Sequence, residues 1–170
     1  MGESPCWDNG SAGQASAICW IDSLVGSLWR HHLATDNTVR DSLPAPVGSI
    51  ALCASGAVVA ALPNGFVRYD FKTGVLDMLG PIDLDHPDVR LNDGKCDPWG
   101  NFIAGTMHIN RQPDDTKPGG LYRLQPSGLV ERIGGDFGLT NGPCFGINGR
   151  TLYIADNNVR TIWAYDYLPD

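Results

Sequence analysis

The strongest constraint in this chain is a repeat. Apolar, strand-like runs begin just after Gly56, Gly100 and Gly149, which lie 44 and 49 residues apart. The same order of segments recurs around them. "AICWIDSLVGSLWRHHLAT" (17–35) reads strand, turn, strand, and "GAVVAALPNGFVRYDFKTGVLDML" (56–79) repeats this and adds a third strand after Thr73-Gly74. "GNFIAGTM" (100–107) with "GGLYRLQPSGLVERI" (119–133) follows the pattern across a longer loop, and "GRTLYIADNNVRTIWAYDY" (149–167) does so once more. Within the segments the period is two. Trp29, His31 and Leu33 fall on one strand face, Arg30 and His32 on the other. No stretch shows helical period, and 21 Gly with 12 Pro supply abundant turn chemistry.

A four-stranded unit recurring every ~40–50 residues is the signature of a β-propeller, whose blades cover their faces by stacking on one another. The expected fold is therefore all-β, a single domain over residues 1–170. A generic sandwich or barrel is the alternative that strand alternation alone leaves open. At ~45 residues per blade, 170 residues make fewer than four blades. Either the ring is unusually small or the chain belongs to a larger one.

Composition removes several function classes. The net charge is −7, which repels phosphate backbones, so nucleic acid is not an expected partner. No apolar run approaches the ~20 residues of a membrane span, and no signal peptide opens the chain, so a cytoplasmic location is expected. Five cysteines, Cys6, Cys19, Cys53, Cys96 and Cys144, include no CxxC pair. They read as small buried thiols in a reducing compartment. The histidines share no ligand-like spacing with them, so a zinc site is not expected. The five tryptophans, at 7, 20, 29, 99 and 163, read as packing between blades, with Trp99 also placed to wall a channel mouth.

The densest polar stretch is "RLNDGKCDPWGNFIAGTM" (90–107). On an extended segment Arg90 and Asn92 share a face. Arg offers a rigid fork of donors and Asn both donates and accepts, which suits a polyol. The residues that follow read as a Gly94-Lys95 turn capped by Asp93, then a turn begun by Asp97 before Pro98.

This stretch closely resembles the motif R-x-N-D-G-K-x-D-x-x-G-x-x-x-x-G-T-M of the SMP-30/gluconolactonase/regucalcin family. "GESPCW" (2–7) is similar to that family's G-E-[SG]-P-x-W opening, and "LTNGPCFGINGRTLYIADNNVRTIWAYDY" (139–167) to its S-N-G-[LI] segment. The resemblance implies a six-bladed propeller, of which residues 1–170 would be about three and a half blades, without the strand that precedes the Glu motif in the family. It implies one divalent cation, Ca, Zn, Mn or Mg, with Glu3 and Asn141 as ligands. A third ligand, an Asp in a P-D-G loop that would also be the base, is expected beyond residue 170. Arg90 and Asn92 would contact a sugar lactone. Asn110 stands nearest the place of a family Glu that also contacts substrate, so substrate choice is open. Asp156, in "IADN", would support the mouth.

The implied activity is metal-dependent opening of a sugar lactone to the aldonic acid. The alternatives are a non-catalytic propeller fragment and a metal- or sugar-binding scaffold. Open blade faces and strand edges are expected to promote self-association.

Overall fold

The computed structural model describes residues 1–10, 15–84, 86–110 and 119–169. The longer loop expected between 107 and 119 lies largely outside them. The described residues form fifteen strands and no helix, so none is long and apolar enough to cross a membrane. The first sheet is a meander of β1 (Gly2–Asp8), β2 (Ala17–Asp22), β3 (Ser27–His32) and β4 (Asn37–Ser42). The second runs β5 (Ser49–Leu52), β6 (Val58–Leu62), β7 (Gly65–Tyr69) and β8 (Leu76–Pro81). The third runs β9 (Val89–Cys96), β10 (Phe102–His108), β11 (Gly119–Leu124) and β12 (Val130–Phe137). The fourth has three strands, β13 (Thr140–Phe145), β14 (Thr151–Asp156) and β15 (Thr161–Asp166). Three full blades and most of a fourth make this a partial β-propeller.

The glycine repeat becomes a repeated turn. Gly56, Gly100 and Gly149 all have positive φ, at 84°, 91° and 73°, which an L side chain resists. Each closes the hairpin after an innermost strand, and its N–H is donated three residues back, to the carbonyl of Cys53, Asp97 or Gly146.

Three apolar clusters fill the three spaces between sheets. Cys19, Ile21 and Leu28 meet Ile50, Val58 and Val67 between the first and second. Phe66 meets Leu91 and Phe102 between the second and third, the two rings edge-on at 5.6 Å. Ile103 and Leu121 meet Leu152 and Ile154 between the third and fourth. Burying each such side chain is worth about 1.5–3 kcal/mol, so each sheet depends on its neighbour more than on its own hydrogen bonds. On the far side of the first sheet Trp20 stacks on Trp29 across the β2–β3 pair. On the far side of the fourth, Tyr153 and Ile162 are exposed. Among the described residues no sheet covers either face.

Two expectations need correction. Of the five cysteines, all free, only Cys19 is fully buried, and its thiol is pushed up to about 11 by burial. Cys96 and Cys144 are exposed because they sit on innermost strands that border an open channel. Of the tryptophans, Trp99 lies partly exposed at a blade junction, its ring 6.5 Å from Tyr167 and set against Gly149, so it does not wall the mouth. Trp20 and Trp29 pair within one sheet, and Trp7 and Trp163 are substantially exposed.

One buried ion pair fastens the first sheet. Arg30 Nη2 donates to Asp8 Oδ2 at 2.7 Å, both side chains are almost fully buried, and the guanidinium lies 4.8 Å above the Phe71 ring. Asp8 Oδ1 also accepts the Gly10 N–H at 3.0 Å. Asp8→Ala leaves a buried charge without its counter-ion, and the expected loss is about 3–5 kcal/mol. Urea denaturation of the two proteins measures it, and a loss below ~1 kcal/mol contradicts this role.

Candidate functional site

The innermost strands β1, β5, β9 and β13 stand side by side around the channel, and three of them carry the same defect. From Glu3 to Cys6, β1 gains one residue over the facing Ile21-to-Cys19 span. β9 gains one between Leu91 and Gly94, opposite Thr106 and Ala104, and β13 gains one between Asn141 and Cys144, opposite Ala155 and Tyr153. Such bulges re-aim side chains that a regular strand would send to its two faces. "ESPC" and "NGPC" are thus one local structure written twice. Ser4 and Gly142, at matching positions, have φ of 53° and 57°. The Ser4 hydroxyl holds this strained conformation by accepting the Ile50 N–H at 2.9 Å.

The sequence reading placed Arg90 and Asn92 on an extended segment that ends, at Asp93, in a turn at Gly94-Lys95. All three lie within β9, and Gly94 and Lys95 pair instead with Ala104 and Ile103. Turn-forming residue types mark the bulge here, because both structures need the same departures from extended backbone. Asn141-Gly142 is likewise inside a strand.

The bulges bring the candidates together. Glu3, Arg90, Asn92 and Asn141 line one cavity of about 230 Å³, joined by Asp93, Met107 and Leu139. Arg90 is buried, and its Nη1 donates to the Leu91 carbonyl at 2.8 Å, which orients the guanidinium. Asn92 Nδ2 donates to the Thr140 carbonyl at 2.8 Å and to Asn141 Oδ1 at 3.2 Å. The metal-ligand candidate and the substrate candidate are therefore hydrogen-bonded to each other. Glu3 supplies carboxylate oxygens and Asn141 an amide oxygen, a hard donor set that fits a hard divalent cation.

Asp93 does more than the predicted cap. Oδ1 accepts the adjacent Gly94 N–H at 2.9 Å, but Oδ2 accepts the Gly142 N–H at 2.7 Å, tying the third blade's bulge to the fourth's. Nothing in the sequence pairs positions 93 and 142. Asp156 is almost fully buried, accepts the N–H groups of Gly138, Leu139 and Asn158, and so fixes the approach to Asn141 from outside the cavity. Asp97 is structural as expected. It accepts from the Trp99 and Asn101 amides and from the Tyr167 hydroxyl at 2.8 Å, and burial with that bond pushes Tyr167 up to about 12.

Asn110 is not among the residues lining the cavity. It is exposed, and its Nδ2 donates to Asp88 Oδ1 at 3.0 Å. A second, larger space of about 640 Å³ continues along the same inner strands, bordered by Cys6, Cys96, Cys144 and Lys95.

Comparison with known proteins agrees with this architecture. Regucalcin of Xenopus laevis is 31% identical over 169 residues, a match covering 98% of this chain and 55% of that protein. The crystal structure of a calcium-binding protein, regucalcin, from Agrobacterium tumefaciens superposes with a TM-score of 0.84 at 28% identity. That match covers 99% of this chain and 54% of the other. A gluconolactonase from Xanthomonas campestris shares the fold, with a TM-score of 0.71 at 19% identity, over 98% of this chain and 58% of its own. The chain spans about half the length of the relatives it matches. The family model for the SMP-30/gluconolactonase/LRE-like region matches residues 1–170 throughout, and the chain belongs to that family.

Proposed function

We propose that this chain supplies the binding half of a metal-dependent sugar-lactone hydrolase. One observation carries the reading: Glu3, Arg90, Asn92 and Asn141, from three different blades, line a single cavity. The family and the gluconolactonase likeness support hydrolase chemistry, and the Agrobacterium relative is described as calcium-binding. Glu3 and Asn141 would hold one divalent cation, Ca, Zn, Mn or Mg. When bound, the cation supplies Lewis acidity toward a lactone carbonyl and lowers the pKa of a bound water.

The chain's own residues do the positioning. Arg90, fixed through Leu91, presents donors to ring and hydroxyl oxygens. Asn92 places its amide beside Asn141, so a sugar bound at Asn92 is held next to the cation ligand. Asp93 holds the Asn141-Gly142 backbone at its set distance from β9. Asn110, outside the cavity, would reach a sugar only as a hydrogen-bonding amide after releasing Asp88. The expected cation affinity is weak, because two protein ligands form an incomplete set for any of these ions.

Calorimetric titration with Ca²⁺, which requires oxygen ligands, and pH-stat hydrolysis of glucono-lactone test the reading together. The expected outcome is cation binding that Glu3→Gln weakens by about tenfold or more, since a ligand charge is lost. Any hydrolysis is expected to vanish in excess chelator and return with metal. Hydrolysis unchanged by chelation, or equal affinity in Glu3→Gln, overturns it.

We also propose that the 170-residue chain pairs with itself through the Trp20–Trp29 and Tyr153–Ile162 faces, which no sheet among the described residues covers. Sedimentation velocity across a concentration series should show dimers or larger species. A monomer at every concentration refutes this.

A further inference from the structure

Four residues before Arg90, the chain makes a β-turn over His86-Pro87-Asp88-Val89. The Val89 N–H donates to the His86 carbonyl at 3.1 Å, with proline at the position where its fixed φ is favoured. The Asp88 N–H donates to His86 Nδ1 at 3.1 Å, so the turn holds the His86 ring over Asp88. The β9–β10 ladder pairs Val89 with His108, and the Ile109 N–H extends it to the Asp88 carbonyl at 2.7 Å. The end of β10 is thereby fixed beside the turn. The rings of His86 and His108 meet edge-on, 4.8 Å between centroids and 78° between planes. One ligand atom from each of His86, Asp88 and His108 lies within 4.8 Å of the others. His108 is buried and the other two are half-buried, and none of the three lines the Glu3–Asn141 cavity.

Two imidazoles and one carboxylate make a different donor set from the all-oxygen one above. At metal–ligand lengths of about 2.0–2.2 Å, donors around a tetrahedral ion stand roughly 3.3 Å apart. Modest rotation of the half-buried His86 and Asp88 side chains closes the set. Imidazole suits Zn²⁺, Co²⁺ and Ni²⁺, whereas Ca²⁺ and Mg²⁺ require oxygen. Asn110 braces the carboxylate through Asp88 Oδ1, the kind of outer hydrogen bond that orients a metal ligand. We propose that His86, Asp88 and His108 form a second metal site, for a borderline transition-metal dication such as Zn²⁺, with a fourth position open to water.

The site carries a built-in cost. The Asp88 amide at Nδ1 puts the proton of neutral His86 on Nε2. An ion must either replace that amide at Nδ1 or take Nε2, which moves the ring proton to Nδ1, and one hydrogen bond is lost either way. A reversible, exchangeable ion is expected rather than a permanent structural one. The sequence reading set zinc aside because the histidines have no spacing relative to cysteines. The ligands here come from a turn and from the far end of the neighbouring strand, a relation that only the β9–β10 register creates.

The test uses the untagged 170-residue chain, stripped with EDTA and titrated with Co²⁺ at about pH 7.5, above the ordinary range of His. The expected result is one equivalent of Co²⁺ with visible bands of an imidazole-ligated ion, displaced by Zn²⁺. His86→Ala should weaken binding by about tenfold or more, while Glu3→Gln leaves these bands unchanged. His86 is half-buried, so its variant should melt with the wild type. Should it not, Asp88→Asn carries the same expectation. Absence of the bands in the wild type, or bands that persist at equal affinity in His86→Ala and Asp88→Asn, overturns the proposal. The outcome is independent of the lactonase reading, because Glu3→Gln tests that site separately.

Discussion

The structure hangs on a relay of side chains that pass from each innermost strand to the backbone of the next. The Ser4 hydroxyl of β1 engages both the N–H and the carbonyl of Ile50 in β5. The Ser49 hydroxyl of β5 donates to the Asn92 carbonyl in β9 at 2.9 Å. The Asn92 amide of β9 donates to the Thr140 carbonyl in β13. Innermost strands of separate sheets have no ladder between them, so their backbone groups toward the channel lack regular partners, and unmet buried groups are costly. Short polar side chains satisfy them and set the spacing of the blades at the same time. The apolar clusters farther out supply most of the attraction but tolerate small slips. The relay does not, because a hydrogen bond weakens steeply with misalignment.

Tight spacing at the channel explains several small residues. A side chain at Gly48 would strike the Asn92 carbonyl at 2.5 Å, and one at Gly94 would strike Ser49 Oγ at 2.7 Å. Gly105 faces the Thr140 side chain so closely that no Cβ fits. Thr140 then donates its hydroxyl to the Thr106 carbonyl at 2.9 Å, and Thr106 Oγ1 accepts the Gly120 N–H. Close approach of backbones lets Glu3, Asn92 and Asn141 share one small cavity although the first and last lie 138 positions apart in the chain.

The division between what the sequence revealed and what it hid follows from the range of each interaction. The strands were legible because alternation and Gly-marked turns are local, and Gly56, Gly100 and Gly149 keep the same turn in the second, third and fourth blades. The grouping of Glu3, Arg90, Asn92 and Asn141 was legible only through resemblance, since no local pattern joins positions 3 and 141. The bulge of β9 was misread as a turn at Gly94-Lys95, because a bulge and a turn ask for the same residue types. The Asp93–Gly142 bond and the His86–Asp88–His108 group were not legible at all. Both depend on which residue of one strand stands opposite which residue of another.

The odd blade out clarifies the design. β5 is short, pairs with β6 in unbroken register from Ser49–Ala61 to Leu52–Val58, and offers no side chain to the small cavity, which it borders only through the backbone of the flanking Gly48. Its side-chain contacts with the neighbouring innermost strands are relay contacts, received at Ile50 from Ser4 and Cys6 and passed on at Ser49. β1, β9 and β13 carry the bulge and the candidate residues; β5 carries neither. A regular strand fixes distance, and a bulged one aims a side chain at the expense of local pairing. Blade two therefore serves as the rigid spacer that sets how far Glu3 stands from Asn92. Asn92 does both jobs in one amide group, holding Thr140 while facing Asn141, so the position of the Asn141 amide oxygen and the closure of the third blade on the fourth are a single structural variable.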